Sequence, residues 1–293
     1  MYPQRAAKTS RATHAIVAAD MSRHQLYAEE IAALTGSRSP ALLRALATVR
    51  REDFLPPGPW LIESLDGIYY QSEDADPRHV LHGVGVAIDP SRMLNNANPV
   101  KFATQMQLAE PKEGETVFHV GAGLGYFSAL FAEMVGPSGR VLAAEIDPVL
   151  CEHARANLAP WKQAEVIGDA LAAPPVSFDL LYSSAGMGNL PAAWLKGLKI
   201  GGRMVLPITG PHDHGIVFLF HKSTESGPIA ARMHSFTRHY PCLGTRGDQD
   251  VAALGNALRR PPSEVASLRL DPHEAEAGCW LHQDGWCLST KAP

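Results

Sequence analysis

From Thr116 onward the chain repeats one rhythm: a short apolar run, a turn, an amphipathic stretch, then another apolar run. "TVFHV", "RVLAAEI", "AEVIG", "FDLLYSS", "GRMVLPI" and "GIVFLFH" are the runs, and helical sequence separates them until the final pair. Apolar runs buried on both faces and joined by helices predict a mainly parallel sheet in a layered α/β fold. The last two runs flank "GPHDHG", a tight-loop signal that predicts an antiparallel strand at the sheet edge. His212 and His214 in that loop stand two apart with no further ligand cluster expected, so the stretch reads as a hairpin loop.

Upstream, two helices are expected over 23–56. "HQLYAEEIAALTG" sets Leu26, Ile31 and Leu34 roughly one face apart and closes on Gly36. "SPALLRALATV" has Ser39 as cap and Pro40 at the first helical position, and "FLPPGPW" stops any helix. Residues 66–98 read as irregular around one strand-like run, "HGVGVAI"; "NPVKFATQMQLAE" then restarts a helix capped by Asn98. Beyond 230, "AARMHSFTRHYPCLG" reads as strand and loop, "QDVAALGNALRR" as a helix, and "HQDGW" as a turn before a strand. Trp280 and Trp286 are expected to anchor this tail on the body or on a second copy of the chain.

The whole chain, 293 residues with 45% hydrophobic and 19% charged, suits a soluble globular protein of one large domain or one domain with additions. A net charge of −4 leaves no global basic footprint, so neither nucleic acid nor a membrane is an expected partner. No apolar run is long enough to span a bilayer, the N-terminus lacks a secretory apolar region, and the cytoplasm is the expected location. Cys151, Cys242, Cys279 and Cys287 are expected as reduced thiols, with no zinc-type spacing and no metal; a Cys279–Cys287 bridge is the alternative in an oxidising compartment.

The chemistry concentrates in "VFHVGAGLGYFSALFAEM", residues 117–134. Gly121, Gly123 and Gly125 make G-A-G-L-G, and Tyr126 occupies the place of a dinucleotide fold's third glycine, where helix and strand must pack closely. Glu145 ends the next run, where a carboxylate accepts two hydrogen bonds from a ribose diol. Asp169, in "GDA" at 168–170, ends the following one and stands where it would accept from an adenine amino group. These strand ends fit a nucleoside without an obvious pyrophosphate, which describes S-adenosyl-L-methionine.

"VFHVGAGLGYFSALFAEMVGPSGRVLAAEID", "VIGDA", "FDLLYSSAG", "NLP" and "LKIGGRMVLPI" resemble the ordered motifs of class I S-adenosylmethionine-dependent methyltransferases. With "REDFLP" at 51–56, the resemblance is closest to the protein-L-isoaspartate O-methyltransferase family and covers roughly residues 40–225. It implies a Rossmann-like seven-stranded sheet, mainly parallel with an antiparallel edge strand, plus N-terminal helices and a C-terminal extension. The implied organisation is a flexible N-terminus (1–22), a helical and loop region over the active site (23–110), a cofactor-binding core (111–225) and the extension (226–293).

Gly121, Ala122, Gly123, Gly125 and Tyr126 would surround the methionine part of the cofactor, Glu145 and Ile146 its ribose and adenine, and Gly168, Asp169 and Ala170 its adenine. The family's acid two residues before the first glycine is His119 here, read either as a histidine satisfied inside the sheet or as one touching ligand. The family's hydroxyl near the transferred methyl falls on Ala97, and Asn95, Asn96 and Asn98 are the candidate acceptor-binding residues. No catalytic base is assigned, since an acceptor carboxylate is already ionised at neutral pH. The expected activity is O-methylation of a carboxylate in a peptide, protein or small metabolite. A small-molecule N- or O-methyltransferase and a non-catalytic cofactor-binding scaffold stand as alternatives, and a homodimer is left open.

Overall fold

A computed structural model describes residues 22–64, 68–92, 94–96, 98–171 and 177–293. The expected flexible N-terminus, apart from Ser22, and Ala97 lie outside the described residues. The chain divides into two compact units, Met1–Ala103 and Thr104–Pro293.

The first unit opens with α1 (Arg23–Thr35) and α2 (Pro40–Thr48). Ser22 and Gln25 close a reciprocal capping box on α1, which stops at Gly36 in the left-handed conformation. Ser39 caps α2 through the Leu42 N–H, as its sequence predicts. Four short strands follow: β1 (Leu61–Glu63), β2 (Tyr69–Gln71), β3 (Gly85–Asp89) and β4 (Leu94–Asn96). They pair antiparallel in the order β2-β1-β3-β4. Arg51 is buried beneath them and donates to the carbonyls of Val80, His82 and Val84 and to Asn96 Oδ1. Its side chain therefore ties irregular backbone that has few strand partners of its own.

Helix α3 (Pro99–Ala109) leads into the second unit. There the predicted alternation appears as β5 (Thr116–Val120), α4 (Tyr126–Val135), β6 (Arg140–Ala144), α5 (Pro148–Leu158), β7 (Ala164–Ile167), β8 (Phe178–Ser183), α6 (Ala192–Gly197) and β9 (Leu198–Thr209). β5 to β9 form a parallel block in the order β7-β6-β5-β8-β9. α4 is buried almost all round, which matches its unbroken apolar sequence.

From β9 onward the sheet is antiparallel, and here the expectation needs correcting. β10 (His214–His221) pairs with β9 as predicted but is not the edge. β11 (Ile229–Arg238) pairs along the whole of β10, and β12 (Ser267–Arg269), β14 (Trp286–Ser289) and β13 (Cys279–Gln283) continue outward. Among the described residues the sheet has ten strands, not seven. The tail joins because it brings its own apolar face: Trp280, Trp286 and Leu288 share one core with Phe118, Met204 and Phe218. α7 (Asp248–Ala257) fulfils the expected helix, and Leu254 enters the same core.

One ion pair stitches the start of β5 to β9. Arg203, on β9, meets both oxygens of Glu115 at 2.7 and 2.8 Å and also donates to the carbonyls of Ala109 and Glu110. Both side chains are largely buried. Among the described residues no helix is long and apolar enough to cross a membrane.

Candidate active site

Parallel strands present their carboxyl ends along one edge, and the sequence-predicted cofactor residues fall at three of them. At the end of β5 the backbone turns through Gly121, Gly123 and Gly125, with φ of +76°, +57° and +94°. L-residues avoid this region, so the turn depends on glycine. Gly125 starts α4, and a Cβ there would lie 3.1 Å from Leu158. Gly125→Ala is expected to cost about 1–3 kcal/mol, since backbone strain and crowding act together; a urea midpoint measured against wild type checks it.

The turn's N–H groups are mostly spent inside the protein. Gly121 and Ala122 both donate to the Ala144 carbonyl, at 2.9 and 3.0 Å, and Gly125 donates to Ala122. Gly123 donates to Glu145 Oε2 at 2.7 Å. A pyrophosphate would find few donors and an opposing carboxylate, so the turn does not suit a dinucleotide.

Glu145, one residue past β6, is buried and also accepts from the Asp147 N–H at 3.0 Å through Oε1. Each carboxylate oxygen keeps a further lone pair, which fits a ribose diol. Burial is the chief influence on its acidity and raises its pKa above the ordinary value. Ile146 beside it is 48% exposed, an apolar surface of a kind an adenine face covers. Past β7, Gly168 and Asp169 are exposed, and Asp169 Oδ1 accepts from the Leu171 N–H. Space around Gly168 is open, with no atom near the position of a Cβ. Ala122, Tyr126 and Ala170 are buried, so their side chains shape the wall of the edge from behind.

His119 resolves its two readings toward structure. It is 1% exposed; Nδ1 sits 2.7 Å from Ser128 Oγ and Nε2 3.0 Å from Ser184 Oγ, while Phe131 and Tyr182 pack on its ring. Burial pushes its pKa down to about 3. The ring is neutral, both nitrogens are engaged, and it is not placed to act as a base on an acceptor. Unfolding returns it to an ordinary histidine, so the unfolded chain binds the extra proton between about pH 6.5 and 3. Stability is therefore present above pH 6.5 and is lost as pH falls through that window, at up to about 1.4 kcal/mol per unit. His119→Asn is expected to flatten this slope in denaturant midpoints taken from pH 7 to 5.

The three asparagines lie in the first unit. Asn96 is buried, and its Oδ1 is engaged by Arg51. Asn98 caps α3 through the Val100 N–H at 2.8 Å and donates to the Gly83 carbonyl, so its side chain is committed as well. Asn95 donates to Glu63 and Tyr69, while its Oδ1 is buried with no hydrogen-bond partner among the described residues. Ala97 lies outside the described residues.

Sequence reasoning missed the loop after β11. Gly186 donates to the Tyr240 carbonyl, and Cys242 donates back to Gly186 at 2.7 Å, which fastens the loop to the segment following β8. Burial chiefly pushes the Cys242 thiol up to about 11, and the carboxylates of Asp169 and Glu145 add to the effect. That thiol is neutral and lies within electrostatic reach of both cofactor candidates. No periodicity or spacing in "YPCLG" signals this. All four cysteines are free thiols, as expected, but the reading of their spacing is corrected: Cys279-Trp280-Leu281-His282 is itself a C-x-x-H step.

A parallel block with a glycine turn and Glu145 at its carboxyl edge is the arrangement of class I S-adenosylmethionine-dependent methyltransferases. Two solved structures bear out the fold. A protein-L-isoaspartate O-methyltransferase superposes with a TM-score of 0.62 at 22% identity, covering 81% of this chain and 68% of its own. A putative one from Plasmodium falciparum, in complex with S-adenosyl-L-homocysteine, gives 0.58 at 14% identity, covering 76% and 99%.

In sequence, the protein-L-isoaspartate(D-aspartate) O-methyltransferase family matches residues 86–244. The protein-L-isoaspartate O-methyltransferase of Methanopyrus kandleri is 31% identical over 229 residues, 76% of this chain and 92% of the relative. The chain belongs to this family and is an S-adenosylmethionine-dependent methyltransferase.

Proposed function

We propose that the protein transfers the methyl group of S-adenosylmethionine to a carboxylate, with the free α-carboxylate of an isoaspartyl residue as its preferred acceptor. The observation that carries the cofactor half is Glu145. It is a buried carboxylate at the carboxyl end of β6, held against the glycine turn by the Gly123 N–H, beside an exposed Ile146. The Glu145 oxygens would hold the ribose diol, Ile146 and Gly168–Ala170 would border the adenine, and Gly121–Gly125 would follow the methionine part. The bound cofactor supplies an electrophilic methyl on a sulfonium.

The chain's own task is alignment, because in-line displacement needs acceptor and methyl about 3–3.5 Å apart. An ionised acceptor carboxylate requires no general base, which agrees with the burial and neutrality of His119. The acceptor class rests on family membership and on relatives named for isoaspartate.

Relative initial rates on an isoaspartyl peptide and its aspartyl twin test the preference. Faster transfer to the isoaspartyl peptide supports the reading; equal or reversed rates contradict it. Equilibrium binding tests the cofactor separately: S-adenosylmethionine should bind and NAD should not.

A further inference from the structure

The tail that extends the sheet carries a second constellation, separate from the methyl-transfer site. His273, Cys279, His282 and Cys287 each offer one ligand atom, and these four atoms all lie within 4.8 Å of one another. We propose that they form a structural zinc site that clamps the outer edge of the ten-stranded sheet.

The backbone shows how the site is built. Strict alternation along a strand would send residues 279 and 282 to opposite faces. The register of β13 against β14 breaks between Cys279 and Leu281: Cys279 faces Ser289, whereas Leu281 faces Leu288 and His282 faces Cys287. The extra residue is Trp280, so the bulge returns Cys279 and His282 to the face that carries Cys287. Arg260 donates to the carbonyls of both Cys279 and Trp280 and holds the bulge in place.

His273 arrives from the loop before β13. Its Nδ1 is 2.7 Å from the Asp271 carbonyl, which fixes the ring and leaves Nε2 3.4 Å from Cys279 Sγ. This is how a second partner orients a metal-bound imidazole. Arg269 pairs with Asp271 and Glu276 on either side of His273, so the loop is shaped without the metal. His282 Nδ1 lies 3.8 Å from the same sulfur.

Two thiolates and two imidazoles are a zinc donor set, and four protein ligands close the site, as in structural rather than catalytic centres. Tetrahedral zinc with bonds of 2.0–2.3 Å needs ligand atoms about 3.3–3.8 Å apart, a small contraction from the observed cluster. Cys279 and Cys287 are buried, and both histidines are partly buried. β13 is the edge strand, and β12, the strand next inward from the hairpin, has three residues. A short hairpin at a sheet edge gains from a cross-link that ties it to the preceding loop.

The test is zinc content by plasma mass spectrometry on the purified full chain, followed by replacement with Co²⁺. About one zinc per chain, and a cobalt form with tetrahedral d–d absorption and a sulfur-to-metal charge-transfer band, are expected. Cys287→Ser and His273→Ala should lose the metal, and Cys151→Ser should keep it. His273 lies on a loop, so His273→Ala serves if Cys287→Ser fails to fold. Wild type without zinc that also gives no tetrahedral cobalt spectrum overturns the proposal. So does zinc retained in His273→Ala, or a denatured thiol count of two in place of four, which would mean a Cys279–Cys287 disulfide.

Discussion

Arg203→Ala is expected to lower folding stability by about 3–5 kcal/mol, because it strands a largely buried Glu115 carboxylate and removes donors from two carbonyls. The loss is local in origin but wide in effect, since Arg203 joins β9 to the start of β5, whose far end carries the glycine turn. Replacing both partners by apolar residues of similar size, Arg203→Met with Glu115→Leu, should recover much of the loss. Urea unfolding measures both variants. A single-variant loss below about 1 kcal/mol would mean that solvent reaches the pair more freely than its burial indicates.

Glu145→Ala is expected to weaken S-adenosylmethionine binding by about 100-fold or more. Two hydrogen bonds from a diol to a buried carboxylate are lost, each worth about 1.5–3 kcal/mol. Glu145→Gln should also bind weakly, since its amide nitrogen offers donors where the diol and the Gly123 N–H both need an acceptor. Titration calorimetry reads the affinity, and thermal melts without cofactor separate loss of binding from loss of fold. The same residue gives the pH dependence. Burial raises the Glu145 pKa, so the ionised form that accepts from the diol is complete above that raised value. Affinity should fall as pH drops through it, earlier than for an ordinary glutamate. Unchanged affinity in Glu145→Ala would move the ribose elsewhere.

The parallel block was legible because its runs are apolar on both faces, and upstream of it α2 and α3 were legible because Ser39 and Asn98 do what their residue types dictate. The glycine turn was legible because only glycine tolerates three left-handed positions in five residues. Tertiary context decided the rest. Whether His119 meets ligand or is satisfied inside the sheet depended on Ser128 and Ser184, 9 and 65 residues away. β11 alternates weakly, "IAARMHSFTR", so its joining of the sheet depended on partners from both sides. The His–Cys cluster was hidden for a sharper reason. Period-two reasoning separates Cys279 from His282, and the bulge at Trp280 that reunites them is fixed by Arg260, outside the motif.

The central claim is carboxyl O-methylation of an isoaspartyl acceptor, and the direct measurement is the base lability of the product. The protein is incubated with methyl-labelled S-adenosylmethionine and an isoaspartyl peptide, and the labelled peptide is then held in mild alkali. The account predicts label on the peptide that leaves as methanol, because a methyl ester hydrolyses. Label that survives alkali would indicate transfer to nitrogen, and absence of label despite cofactor binding would indicate a different acceptor or none; either result contradicts it.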